Sequence, residues 1–442
     1  MANKIKVCKF GGTSMADAST MQRCADIIRA DEARRFIVVS APGKSASESM
    51  KVTDALISCY KEAKEMGSCK KSFRHIRERF LRMVDELDLD LDIERYLDEV
   101  EKQIPNHLDS VDFAASRGEY LSAIVFAALL GMPFVDASEI VYFDKNGNFE
   151  AEYTNDRCFQ KLAKMDCAVI PGFYGVNKDG EITTFSRGGS DITGAIVARA
   201  LRAEVYENWT DVNGFLVADP RVVDTPHRIK ELTYRELREL SYMGASVLHA
   251  DAIFPVKKVG IPINIRNTFD PERSGTMIVA NREHSPRGRV VTGIAGKKHF
   301  SVIHITKSMM NTQVGFMRRI LSVLEYHDLS CDHMPSGIDT LSVVIDAGGK
   351  TKEELDQVVN EISAVVQPDE ISVLDGISLV ATVGHGMLHK VGTAARIFTA
   401  LARHNVNIRM IDQGASELSI IVGVVDEDYE TCVQALYEEF FM

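Results

Sequence analysis

Apolar positions near the N-terminus follow a strand–helix–strand order. Lys4–Phe10 alternates and then runs apolar, which predicts a buried strand. After Ser14, Met21, Cys24, Ile27 and Ile28 recur at helical spacing, and Phe36–Ser40 predicts a second short strand. This βαβ opening predicts a parallel sheet with helices on its faces. Val52–Asp112 is long, charged and helical in period, and Leu121–Leu130 predicts a buried helix. Phe134–Asp136, Cys167–Pro171 and Glu204–Trp209 predict further short strands. Val212–Arg221 contains Asn213-Gly214 and Asp219-Pro220, both turn signals, and predicts a loop. Thr233–His249 then predicts a helix and Pro262–Arg266 a strand.

The pattern changes after Asn281–Arg289, a polar stretch with Pro and Gly that predicts an interdomain linker. Strands are expected at Ser301–Thr306, Leu329–His333, Thr340–Asp346 and Glu370–Leu374, with helices at Val314–His327 and Lys352–Val365. That order is one βαββαβ unit. It then restarts: strand Ser378–Val383, helix Thr393–His404, strands Asn407–Ile411 and Leu418–Val425, helix Tyr429–Phe440. The second unit is one strand short, and Arg289–Ala295 is the spare strand that would complete it. The expected division is therefore 1–284, 301–374, and 289–295 joined to 375–442, with the first repeat nested inside the second.

Composition narrows the class. A chain of 442 residues suggests two to four domains, at roughly 100–200 residues each. A formal charge of −12 argues against a nucleic-acid backbone as partner and favours small ligands. The eight cysteines form no CxxC pair and no zinc spacing, which suits a reducing, cytoplasmic setting. The strand pattern begins too early to leave room for a signal peptide, and no apolar run is expected to span a bilayer. Lys70–Arg82 is basic, but acids follow at once, so a solvated helix face is the favoured reading over a polyanion site. His249 and His385 lack a metal-spaced partner and are read as structural; no metal ligand is assigned.

Two glycine corners carry the candidate chemistry. In KFGGTS, Lys9 to Ser14, a strand-to-helix turn would present the N–H groups of Gly11 and Gly12 and the Lys9 ammonium to phosphate. In FSRGGSD, Phe185 to Asp191, Arg187 is suited to a carboxylate, Gly188 and Gly189 admit a close ligand, and Ser190 and Asp191 add a donor and an acceptor. Glu119, ahead of the buried helix, could meet an ammonium. Thr210 and Asp211 end a strand where α/β sheets place ligands. Taken singly, each has a plain structural reading: a tight glycine turn, a type II turn with an incidental ion pair, a helix-capping carboxylate, a turn-rich loop. Neither corner is a Walker A loop, since Val38 stands where the first glycine before Gly43-Lys44-Ser45 is required.

The ordered set is more specific than its members. KFGGTS, SAPGK…KVTD (Ser40 to Asp54), RGE, GFYG, RGGSD, TDVNG…DPR, GASVLH and PINIRN occur in the order found in aspartate kinases. The chain resembles that family along essentially its whole length, in particular the monofunctional, lysine-sensitive type. The resemblance implies an amino-acid-kinase three-layer α/β/α sandwich followed by two ferredoxin-like ACT domains. It implies transfer of a phosphoryl group from ATP, with Mg²⁺, to the aspartate side-chain carboxylate. Lys9, with Gly11 and Gly12, would hold the transferring phosphate. Ser40, Thr53, Glu119, Phe173, Arg187, Gly188, Gly189, Ser190 and Asp191 match the aspartate pocket, with Arg187 on the α-carboxylate and Glu119 on the ammonium. Lys9 and Asp191 would be the catalytic pair. Thr210, Asp211, Leu216, Arg221 and Ser246 match the nucleotide pocket.

One departure stands out. The family usually has GAKVLHP, whereas this chain has Ser246 for the lysine and Ala250 for the proline. A positive charge near the nucleotide is missing, and Lys257 and Lys258 are the candidates to replace it. Leu216 also stands where some members have an aromatic.

The tail resembles paired ACT domains, which in the family bind amino acids between subunits. Met309, Asn311, Gly315, Phe316 and Met317 match an effector loop. Asp332, Ser336 and Asp339 would favour a cationic effector such as lysine, with threonine a second candidate. The implied assembly is a homodimer or a dimer of dimers through the ACT domains. Two alternatives stay open: another amino-acid, carbamate or nucleotide kinase of the same fold, and a non-catalytic amino-acid sensor. Glu119 with Arg187 disfavours the first, and Lys9, Arg187 and Asp191 together disfavour the second. A fused homoserine dehydrogenase is not expected at this length.

Overall fold

The computed structural model describes residues 4–46, 48–245, 247–248, 253–281 and 289–442. The chain forms two compact units. The first comprises Met1–Phe215, Lys230–Tyr234 and Val247–Arg282, and the second Leu216–Ile229, Arg235–Ser246 and Glu283–Met442. The division along the chain is therefore not one cut. Most of the expected linker, residues 282–288, lies outside the described residues.

The first unit is built on seven strands: β1 (Lys6–Phe10), β2 (Arg34–Val39), β3 (Ala168–Pro171), β6 (Val205–Thr210), β7 (Glu231–Thr233), β8 (Ile263–Asn267) and β9 (Thr276–Val279); β4 (Tyr174–Val176) and β5 (Ile182–Thr184) form a separate hairpin. The sheet order is β3-β2-β1-β6-β8-β9-β7, and the first five strands run parallel. Its helices are α1 (Ala18–Arg29), α2 (Val52–Met66), α3 (Lys70–Glu86), α4 (Ile93–Gln103), α5 (Asp112–Leu130), α6 (Ala151–Leu162) and α7 (Gly189–Ala200). Side chains alternate across β1. Cys8 and Phe10 enter a core shared with Cys24 of α1, Leu56 of α2, Phe73 of α3 and Phe126 of α5. Lys9 points the other way, toward α7, whose Asp191 it meets. Helices thus cover both faces of the sheet.

Several elements differ from the expectation, each for a local reason. Val52–Asp112 is three helices, because the chain turns left-handed at Gly67 and again at Asp88. The buried helix starts at Asp112, not Leu121. Its 19 residues are long and apolar enough to cross a bilayer by composition, contrary to the expectation that no run is, but it is largely buried inside the protein. Phe134 makes only an isolated bridge to Val169, so no strand forms there. α8 (Tyr234–Tyr242) stops short of His249, with Gly244 at φ +100°. The short α9 (Phe254–Lys257) follows.

The second unit carries a six-stranded antiparallel sheet, β11-β12-β10-β13-β15-β14, from β10 (Gly293–Thr306), β11 (Cys331–His333), β12 (Thr340–Ile345), β13 (Glu370–Val383), β14 (Met410–Asp412) and β15 (Ser419–Val425). Two long strands form its centre. Gly293–Lys297 pairs with Leu379–Val383, the register shifts near Phe300, and Val302–Thr306 pairs with Glu370–Leu374. α10 (Phe316–Tyr326) and α11 (Lys352–Val366) bury Phe316, Ile320, Val358 and Ile362 against Ile303 and Leu341. α11 opens on a reciprocal capping box between Thr351 and Glu354. α12 (Thr393–Arg403) and α13 (Tyr429–Phe441) complete the unit.

Candidate active site

The sheet order turns back at β1, which pairs with β2 on one side and β6 on the other. In open α/β sheets, ligands bind at the carboxyl ends of strands at such a switch point. Lys9 stands opposite Asn208, and Phe10 opposite Trp209, so KFGG and NWTD leave the sheet side by side. The Gly11 N–H donates to the Trp209 carbonyl at 3.0 Å, so, contrary to the expectation, it pins the corner to β6 and is not presented to phosphate.

Close backbone contact fixes the first corner. The Gly43 N–H donates to the Gly12 carbonyl at 2.8 Å, and the Ser40 N–H to the Phe10 carbonyl at 3.1 Å. A Cβ at Gly43 would lie 2.7 Å from the Gly12 carbonyl carbon, so only glycine fits. Beneath it, the buried Arg79 guanidinium donates to the carbonyls of Gly43, Ala16 and Met50. Ser14 bonds Thr268 through their hydroxyls at 2.8 Å. Thr53 sits in the first turn of α2, whose Val52 N–H donates to the Pro42 carbonyl at 3.0 Å.

The second corner is held as tightly. Gly188, left-handed at φ +60°, leads into α7, and Asp191 falls in the first turn. A Cβ at Gly189 would sit 2.8 Å from the Cα of Phe173. Phe173 itself is left-handed at φ +79°, a conformation that strains a bulky residue and occurs where surroundings over-determine it. Its N–H donates to Thr193 Oγ1 at 3.2 Å, and its carbonyl accepts from the Phe185 N–H at 3.0 Å. Ser190 is buried, and Arg187 is exposed.

The two corners meet through charge. Lys9 Nζ lies 2.6 Å from Asp191 Oδ1, both largely buried. Asn208 Nδ2 donates to the same oxygen at 2.8 Å, and the Tyr206 hydroxyl donates to the Asp191 carbonyl at 3.0 Å. Asn208 and Tyr206 hold Asp191 in place, a contact that the sequence reading missed. Their proximity to Asp191 follows from α7 folding back over β6, which no local motif encodes.

Glu119, expected on the acceptor side, lies buried on α5. Burial pushes its carboxyl up to about 8, against the opposing pull of the Ala41 N–H and of the Arg117 and Lys9 charges. Its Oε2 is buried without a hydrogen-bond partner. An orphan carboxyl oxygen is costly, and a cationic ligand would relieve it.

The expected nucleotide residues divide. Thr210 ends β6 and its carbonyl accepts from the Thr268 N–H at 2.9 Å; Thr210 Oγ1 reaches Asp211 at 3.3 Å. Leu216 and Arg221 belong to the second unit. There Leu216 bridges Arg228, and the Arg221 side chain binds the Asp219 carboxylate. Ser246 lies outside the described residues. Lys258, a candidate replacement cation, is bonded to Glu152.

Around the expected effector loop, Met309 is left-handed and exposed, and its N–H donates to Asp339 Oδ1 at 2.8 Å. Asn311 lies in a single 3₁₀ turn, Gly315 precedes α10, Phe316 is buried and Met317 exposed. Ser336 bridges Leu341. Asp332 is already engaged, by the Tyr242 hydroxyl and the Asp346 N–H.

Residues 4–267 match the amino acid kinase family, and residues 380–440 match an ACT domain. The chain is 39% identical to aspartokinase 3 of Bacillus subtilis over 99% of both chains. It is 29% identical to the lysine-sensitive aspartokinase 3 of Escherichia coli, over 99% of this chain and 100% of that one. Among solved structures, the aspartate kinase of Clostridium acetobutylicum superposes with a TM-score of 0.91 at 46% identity, covering 99% of each chain. Escherichia coli aspartokinase III in complex with aspartate and ADP gives 0.77 at 27% identity, covering 99% of this chain and 100% of that one. The chain belongs to the aspartokinase branch of the amino acid kinase family and is an ATP-dependent aspartate kinase.

Proposed function

We propose that the cleft at the β1–β6 switch point divides the reaction between its two corners. Lys9, held by Asp191, meets the transferring phosphoryl group, with the Gly12 N–H beside it and the Gly11 N–H spent on the Trp209 carbonyl. Glu119 takes the aspartate ammonium and Arg187 its α-carboxylate, leaving the side-chain carboxylate directed at the phosphate. That carboxylate oxygen attacks the γ-phosphorus, the bond to the β–γ bridging oxygen breaks, and ADP leaves with the electron pair. The product is the mixed acyl phosphate, 4-phospho-L-aspartate. Carboxylate is already ionised at neutral pH, so no general base is required. Positioning and charge neutralisation supply the acceleration.

Among the described residues no group of three His, Cys, Asp or Glu could cage a metal. Mg²⁺ would then be carried by the nucleotide and water, where it would neutralise phosphate charge.

The observation that carries this reading is the buried, unpartnered Glu119 oxygen on the Lys9 side of the cleft. The test is steady-state kinetics of Glu119→Gln. The KM for aspartate should rise about 100-fold, with the KM for ATP nearly unchanged. An unchanged KM for aspartate would remove Glu119 from the ammonium site.

Regulation is read from the second unit. Lysine would bind at Met309–Met317 with Asp339 and lower activity. Escherichia coli aspartokinase III has been solved with lysine and aspartate in a T-state, which supports lysine as effector here. The pairing of Gly293–Lys297 with Leu379–Val383 supports the nested pair of ACT domains. A cytoplasmic homo-oligomer joined through these domains is part of the same reading. Leu216 and Arg221 share a compact unit with this sheet. Effector binding there would act on the segment assigned to the nucleotide, by favouring one conformation.

A further inference from the structure

Beside α7, a groove of about 690 Å³ runs between α6 and α9; Phe185 is the one residue of the FSRGGSD corner that lines it, and Lys9, Glu119, Arg187 and Asp191 do not. Its walls are Phe149, Phe185, Ile192, Ile196, Phe254 and Pro255. Ile192, Ile196 and Arg199 follow one face of α7 at helical spacing. Three cations, Arg199, Lys257 and Lys258, face one carboxylate, Glu152. That carboxylate is taken by Arg199 Nη2 at 2.7 Å and by Lys258. Lys257 makes no ion pair among the described residues. Asn155 also lines the groove, and its Oδ1 is buried with no hydrogen-bond partner.

Each feature specifies part of a ligand. Three phenylalanine rings and two isoleucines select a flat apolar body. The surplus of positive charge selects an anionic group. The orphan amide oxygen selects a donor on the ring. We propose that this groove is a binding site for a small aromatic carboxylate whose ring carries an N–H or O–H donor. The donor meets Asn155 Oδ1, and the carboxylate meets Lys257 at the mouth.

Anilinonaphthalene sulfonate, an aromatic anion with one N–H, is a suitable fluorescent probe for the full-length chain, and indoleacetate a suitable competitor. The expected result is saturable fluorescence with one site per chain, displaced by indoleacetate but not by aspartate or ATP. Phe254→Asp and Lys257→Glu, both at exposed positions, should each weaken probe binding at least tenfold while melting as the wild type does. Wild-type binding in both variants would overturn the proposal, as would absence of binding. Displacement by ATP would assign the groove to the nucleotide and overturn it equally. The aspartate KM of Glu119→Gln is read separately, so failure of one reading leaves the other standing.

Discussion

The proposed acceptor cleft and the proposed effector loop are built on opposite principles. In the cleft, Gly12 touches Gly43, Gly189 touches Phe173, and Lys9, Asp191 and Asn208 share one buried contact. Almost every group has a partner and little room to move. At the proposed effector loop, Met309 is 67% exposed and Val314 is fully exposed, although Met309 and Lys307 bond to Asp339 and Ser308 to Asp369 at its base. A phosphoryl-transfer site gains by being preorganised. A regulatory site must have two arrangements of similar energy, so it draws on weakly held structure.

The largest expected effect comes from the most tightly held group. Lys9→Met should lower kcat by about 10³ while the protein melts normally; a kcat within threefold of wild type would separate the lysine from the transferring phosphate.

Glu119 gives the next effect, and its sign is set by burial. Its carboxyl titrates near 8 when folded, against a usual 4.5. Below about pH 8 the empty site is protonated and must lose that proton to hold an ammonium. The kcat/KM for aspartate should therefore climb about tenfold per pH unit up to that point and then level. A flat profile from pH 6 to 8 would contradict it. Stability runs the other way. An unfolded chain ionises Glu119 from pH 4.5 upward while the folded chain resists until about 8. Folding is thus fully favoured below 4.5, and this cost grows until it is complete above 8. Glu119→Gln should be more stable at pH 8 by about 4 kcal/mol, read by denaturant titration, with the gain gone at pH 4.

Smaller still is the effect at the loosely held region. Asp339→Ala should raise the lysine concentration for half-inhibition by about tenfold and leave uninhibited kcat alone. Inhibition that is unaltered would move the effector elsewhere.

What the sequence revealed divides along the same physical line. The two glycine corners were legible because a close backbone approach and a charged contact each demand particular residue types at fixed spacing. Asn208 was not legible, because nothing in VYENWT shows that α7 lies above it. The short β7 and β9, of three and four residues, carry no alternation long enough to read. α6 was missed because its sequence AEYTNDRCFQKL buries only Thr154, Cys158 and Leu162. The end of α5 at Leu130 was expected, and Gly131 beyond it is left-handed, whereas its start at Asp112 has no side-chain cap to announce it.

The central claim is that Lys9 and Asp191 act as one unit at a single cleft, and a double-mutant cycle on kcat tests it most directly. If it holds, Lys9→Met combined with Asp191→Asn should be no slower than the slower single variant. Losses that multiply in the double variant would mean that the two residues work independently, and the cleft as described would be wrong.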